Sequence, residues 1–348
     1  VVNNAGYTSR VSDFFLPVFY AILQLLVLIG IGFVVRRTGR WAEGFFSGLS
    51  RLVVRVALPF YFVVRVSRTD FSEIRSLLIM PLSAVGVVGL GLLLSLLIFR
   101  LLRYRGSDRR AGLAMASFGN SGYMPLTMIE IVSLSVPVIA ERYGTELPLI
   151  LVAAYLFVQS PILWSVGHYI ITKSDDSSHR LRVRDLFSPP LIGIVVGLLI
   201  ALSGATRLID NPALPFHPIF QALDRLAGIT LPLALINLGG LIGNLEVSRE
   251  NVRHLIGISS AVAVVRFVLL PAAFVAVYFG VLRGSGLAPA VIFVIFLQMH
   301  TPPATNLSLM AGQAGVNEHH TAATLLVTYV LYLVLMPVYL SVFLAISG

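Results

Sequence analysis

Apolar residues run along this chain in long blocks separated by short polar or basic stretches, and in two places glycine, proline and asparagine intrude into a block. Crossing a bilayer takes about 20 apolar residues per helix. On that measure the blocks predict ten spans. In the first half they lie at roughly 14–35, 45–65, 76–99, 111–132 and 147–171. In the second they lie at roughly 186–203, 217–243, 254–280, 287–312 and 320–346. The intrusions are Ser117-Phe-Gly-Asn-Ser-Gly-Tyr-Met-Pro-Leu-Thr127 in the fourth span and Gln298-Met-His-Thr-Pro-Pro-Ala-Thr-Asn306 in the ninth.

Lipid cannot hydrogen-bond a broken backbone, so a break at membrane depth has to be lined by protein or water. Gly119, Gly122 and Pro125 disfavour a continuous helix, and Pro302 with Pro303 removes two successive N–H groups. A single such break reads as a kinked helix. Two at matching positions, one in each half, point to the binding site of a transporter. Asn120 and Asn306 each bring an amide donor and acceptor to their break, and half-helix N-termini attract anions. Ser121, Thr301 and Thr305 add hydroxyls beside them.

The hydrophilic stretch 172–185 divides the chain into two five-span halves, 14–171 and 186–346. Leu49-Ser-Arg-Leu leading to Leu58-Pro59 echoes Leu223-Asp-Arg-Leu leading to Leu231-Pro232. Arg105-Gly-Ser107 before Pro125 echoes Arg283-Gly-Ser285 before Pro303. An odd number of spans per half inserts the second half upside down, so the expected fold is an all-α polytopic membrane protein of two inverted repeats with broken helices 4 and 9.

Composition agrees with membrane residence: 57% hydrophobic and 12% charged residues, with mean hydropathy +0.89. Soluble domains carry about 25% charged residues. The net charge of +9 comes without a basic block interleaved with aromatics, so no nucleic-acid partner is expected. Most cations sit in short loops beside spans, where they set orientation. Arg100, Arg103, Arg105, Arg109 and Arg110 crowd one loop, which places it in the cytoplasm and both termini outside. The start, polar from Val1 to Arg10 and lacking Met, reads as a trimmed end rather than a signal peptide. There is no cysteine, hence no disulfide or cysteine metal site.

Charged and polar residues within the spans are few. Arg55 and Arg266 lie far from the span ends, where an arginine faces a cavity or a partner, or snorkels. Arg51 and Arg225 read as snorkellers or scaffold pairs, with Asp224 beside the latter. Glu130 and Asp224 are the embedded acids, and no pair of aspartates stands near the breaks as a cation–proton exchanger would want. His300 is either a proton carrier or a neutral structural histidine. Gln159 is a third amide within reach of a cavity. The pairs Gly193/Gly197 and Gly239/Gly243 allow close helix approach. Trp41, Tyr104 and Tyr278 read as interfacial anchors. No H-E-x-x-H, G-x-S-x-G or Walker signature is present, so an enzyme is not expected.

Phe118-Gly-Asn-Ser-Gly-Tyr-Met-Pro-Leu126 resembles the Phe-Gly-Asn-Thr-Gly-Phe-Met-Gly-Ile-Pro-Leu pattern of the auxin efflux carrier family. Thr301-Pro-Pro-Ala-Thr-Asn-Leu-Ser-Leu-Met-Ala311 resembles that family's second signature, and Arg51 to Pro59 and Ser188 to Ile192 fit as well. The first motif lacks a residue or two between Met124 and Pro125, and the central loop is short beside plant PIN-type members. The resemblance implies a bile-acid-symporter-like fold with spans 1, 2, 6 and 7 as scaffold and spans 3–5 and 8–10 as an elevator-type transport domain. It further implies small organic anions as substrates, auxin-like or dicarboxylate, a homodimer through the scaffold, and a bacterial inner membrane. Asn120 and Asn306 become the expected carboxylate ligands. Two readings stand beside transport by uniport: a receptor that binds a small molecule or lipid without moving it, and a proton- or sodium-coupled symporter.

Overall fold

The computed structural model describes residues 4–39, 41, 44–68, 74–172, 188–243, 252–314 and 318–347. It is helical throughout those residues, with a single isolated β-bridge and no strand among them. The central loop expected at 172–185 lies outside them from residue 173 onward, as does most of the connection 244–253.

Helix α1 spans Asn4–Arg37. Helices α2 (Phe45–Leu52) and α3 (Leu58–Ser67) form one rod through a π turn at Val53–Ala57. Helix α4 (Ile74–Leu101) precedes α5 (Gly106–Ser117) and α6 (Tyr123–Ser135), the two halves of the first broken block. Helix α7 (Pro137–Tyr143) turns away from α6 by 114°. Helices α8 (Glu146–Ile162) and α9 (His168–Thr172) flank a π turn at Leu163–Gly167. Then come α10 (Pro189–Leu202), the short α11 (Thr206–Ile209) and α12 (Phe216–Gly243). Helices α13 (Val252–Val264) and α14 (Leu270–Gly280) flank a third π turn, Val265–Leu269. Helices α15 (Pro289–His300) and α16 (Thr305–Ala314) are the halves of the second broken block, and α17 (Glu318–Ser347) closes the chain.

Two of the π turns have a readable cause. Pro59 and Pro271 lack an N–H, and their rings crowd the carbonyls four residues earlier, those of Arg55 and Phe267. The carbonyl released at Phe267 accepts a hydrogen bond from the Tyr339 hydroxyl of α17. Widening the turn and recruiting a distant phenol keep the backbone satisfied where no water is at hand.

Among the described residues six helices are long and apolar enough to cross a membrane, 13–37, 77–101, 146–172, 216–243, 256–284 and 321–347, or seven if the bent pair 123–143 counts as one. Ten were expected. The shortfall has physical reasons: the rod 45–67 carries Arg51, Arg55 and Arg65, the expected spans 111–132 and 287–312 are each two short helices, and Pro189–Leu202 has 14 residues. Each nonetheless lies where an apolar block was expected. Large apolar side chains such as Leu78, Leu82, Leu93 and Leu97 of α4 are exposed, as lipid-facing residues are.

Helices α1, α3, α10 and α12 pack on one another, and α4, α8, α13 and α17 gather around the broken helices. The first group meets through glycines. A Cβ added at Gly32 would overlap the Ile236 carbonyl, and one at Gly239 would overlap that of Ile29, so α1 and α12 touch backbone to backbone. Gly193 and Gly197 do the same for α10 against Pro59 and Phe62. Where the groups meet, Arg65 of α3 reaches Glu130 of α6 (3.6 Å) and Glu146 of α8 (3.2 Å), and the Tyr61 hydroxyl donates to Glu130 (3.1 Å). Asp224 pairs with Arg68 (3.7 Å), not with its neighbour Arg225, which is exposed like Arg51. Tyr278 is buried with its hydroxyl on the Ile346 carbonyl, so it packs the core instead of anchoring an interface.

Gly239→Val has no room to be absorbed by side-chain motion, because the clash is with backbone. We expect it to destabilise the protein by about 3 kcal/mol, the upper range for overpacking. A lower Tm and loss of the monodisperse peak in detergent would show this, whereas Gly228→Ala, at an open position on the same helix, should leave both unchanged.

Candidate functional site

The two broken blocks meet. Gly119 and Pro303 form the isolated antiparallel bridge, flanked by the Asn120 N–H on the Pro302 carbonyl (2.8 Å) and the Ala304 N–H on the Phe118 carbonyl (2.9 Å). The arrangement suits prolines: Pro302 and Pro303 have no N–H to donate, and here they serve as acceptors only. The Pro303 carbonyl takes the Tyr329 hydroxyl at 3.1 Å, and that oxygen in turn accepts from Asn120 Nδ2 at 2.6 Å. Carbonyls freed in the first break are met by side-chain amides. Gln298 Nε2 donates to the Ser121 carbonyl (3.1 Å), and Gln159 Nε2 lies 3.5 Å from the Gly119 carbonyl.

Gly119 is required by space. A Cβ there would overlap Thr301 Oγ1 and stand 2.9 and 3.1 Å from the Nη atoms of Arg266. Thr301 Oγ1 itself donates to the Gln298 carbonyl at 3.0 Å, capping the end of α15.

On one side the crossing opens into a cleft with about 680 Å³ of empty space, its open mouth included. Its polar wall is Gly119, Asn120, Ser121 and Gly122 from the first break, Thr305 and Asn306 from the second, and Gln159, Ser160 and Ser188. Its apolar lining includes Val54, Leu58, Phe62, Leu156, Trp164 and Leu191. Helices α6 and α16 both begin at the cleft, so their first N–H groups, which lack intrahelical partners, point their positive ends that way. The Asn306 side chain is half-buried and makes no hydrogen bond among the described residues.

The remaining candidates lie elsewhere. Thr301, Pro302 and Pro303 build the crossing but do not line the cleft, and Pro125 is buried in the first turns of α6. His300 is packed away from the cleft: Nδ1 is 2.6 Å from the Phe296 carbonyl, and its ring sits 4.2 Å from Phe296, 5.1 Å from Tyr339 and 5.8 Å from Phe274. Arg55 is exposed on its π turn beside Val56 and Phe60, facing outward from the cleft. Arg266 is fully buried behind Gly119. Sequence reasoning gave no role to Tyr329 or Gln298, which hold the two breaks together. A tyrosine and a glutamine inside apolar helices, each needing a distant partner, were the available signal.

The family described as membrane transport protein matches residues 17–340. The chain belongs to that family. It is the auxin efflux carrier family of the resemblance, so the chain is an integral membrane transporter and not an enzyme. A protein of Methanothermobacter thermautotrophicus described as an uncharacterized transporter is 25% identical over 327 residues, 91% of this chain and 96% of that one. Protein PIN-LIKES 7 of Arabidopsis thaliana is 31% identical over 179 residues, 49% of this chain and 43% of its own length. Protein PIN-LIKES 1 of the same plant is 28% identical over 174 residues, 48% of this chain and 35% of that protein.

Gly119→Ala should disrupt this membrane transport protein at its crossing, because the added methyl meets Thr301 Oγ1 and the Arg266 guanidinium, both belonging to buried side chains. A loss of about 2 kcal/mol in thermal unfolding is expected, and Gly89→Ala, at an open position of α4, should not lower the Tm.

Proposed function

We propose that this protein is a secondary transporter of small organic anions that carry a carboxylate. The observation that carries the reading is the cleft: two half-helix N-termini, Asn120 and Asn306 line it together with an apolar surface. A carboxylate head binds the helix ends and amides, while an apolar body lies against Phe62, Leu156 and Trp164. Gln159, Ser121 and Thr305 complete the polar wall.

The finer architecture belongs to the same proposal. The helices at the ten expected blocks form two inverted repeats, 14–171 and 186–346, crossing at their broken members. Helices α1–α3, α10 and α12 serve as scaffold and as the homodimer surface, and the rest move past them as an elevator. The meeting of the breaks in antiparallel sense supports the inversion, and the glycine-tight packing of α1 on α12 and of α10 on α3 supports a rigid scaffold. The arginine-rich loop 100–110 supports termini on the outside, and a bacterial inner membrane is what the family resemblance implies. Proton coupling through His300 has no support from its position, nor has anion capture at Arg55.

Uptake of labelled mono- and dicarboxylates into proteoliposomes, with counterflow, tests the proposal. Asn306→Ala and Asn120→Ala should each weaken substrate affinity about tenfold or more, the range for losing a hydrogen bond to a charged group. Binding measured by calorimetry without any counterflow would replace the transporter with a receptor. The pH profile of uptake should keep its shape in His300→Gln, and a flattened profile would return that residue to the mechanism.

A further inference from the structure

Arg266 is the largest fully buried side chain among the described residues, at 0% exposure, and none of its three guanidinium nitrogens has a hydrogen-bond partner among them. No carboxylate of the described residues pairs with it. The embedded acid Glu130 is engaged by Arg65 and Tyr61, and Asp224 by Arg68. An isolated charge at such a place is costly unless something of opposite sign faces it.

What faces it is backbone. The guanidinium lies against Gly119, directly after the C-cap of α5, and the Thr301 hydroxyl at the C-cap of α15 stands beside the same glycine. Helix C-termini carry about half a negative charge each, so the two ends together offset about one positive charge. The phenols of Tyr155 and Tyr329 are its other electrostatic neighbours. The crossing is thus sorted by sign: two helix N-termini open on the cleft, and two C-termini close on Arg266. Without the arginine the two helix C-terminal ends would leave a buried space of negative potential, a place suited to a small cation.

We propose that Arg266 is a tethered cation, a positioning residue that fills the position a free coupling cation would otherwise occupy behind the crossing. The carrier then binds its anion with no co-bound sodium or potassium. The inference rests on the transport reading above and deepens it by naming the ion requirement. Gly119 is part of the device, since its missing Cβ leaves room for the guanidinium tip.

The test has two arms. In wild-type proteoliposomes, uptake should be equal in sodium, potassium and choline media, and a requirement for either metal cation overturns the proposal. Arg266→Gly should lose uptake about tenfold or more in choline medium and regain it with millimolar guanidinium or sodium, while Arg266→Lys keeps most of it. Full uptake by Arg266→Gln in choline medium overturns the proposal. A readout independent of transport keeps the two ideas separable: guanidinium should raise the Tm of Arg266→Gly and leave the wild type unraised. If that stabilisation appears but wild-type protein moves no carboxylate, the transport reading fails and the tethered cation stands. If guanidinium stabilises neither protein, the tethered cation fails.

Discussion

The structure depends on satisfying a broken backbone in a medium with no hydrogen-bonding solvent. Each break alone would strand carbonyls and N–H groups at membrane depth, at a cost of several kcal/mol per group. Crossing the breaks lets each supply what the other lacks. Phe118 and Pro302 offer carbonyls to the N–H groups of Ala304 and Asn120, and the prolines, having no donors, leave none unsatisfied. Tyr329, Gln298 and Gln159 take the remainder. The family's function follows from this constraint, because a polar crossing inside an apolar protein is also a place for a polar solute.

The same constraint orders the electrostatics. Four half-helices end at the crossing, and their dipoles sort by direction: α6 and α16 start at the cleft, and α5 and α15 end toward Arg266. The anion proposed for the cleft and the arginine on the other side would both follow from one backbone arrangement. The cluster of Arg65 with Glu130 and Glu146 is different in kind, since it is partly exposed and sits where the two groups of helices meet.

Much of this was legible beforehand, and unevenly. The apolar blocks, the two breaks and their asparagines stand in the sequence, because proline and glycine act on their own residues and apolar length is a local property. The glycine pairs at 193/197 and 239/243 were also readable, as small residues allow close approach whatever the partner. The arginines were not separable. Arg55 and Arg266 looked alike, each deep in an apolar block, yet one is exposed on the outside and the other is buried at the crossing. His300 stood inside a motif that lines a site, but it ends α15 facing Phe296 and Phe274.

The sequence by itself determined that the chain lives in a membrane, where its helices break, and which residues stand at the breaks. Each of these is set by composition and by the covalent limits of proline and glycine within a few residues. Only the tertiary structure decided that Gly119 bridges Pro303, that Asn120 is held by Tyr329 while Asn306 is left unengaged, and that Arg266 is the charge behind the crossing. The physical reason is distance along the chain. Asn120 and Tyr329 are 209 residues apart in sequence, and no local rule tells a freed donor which remote acceptor folding will bring to it.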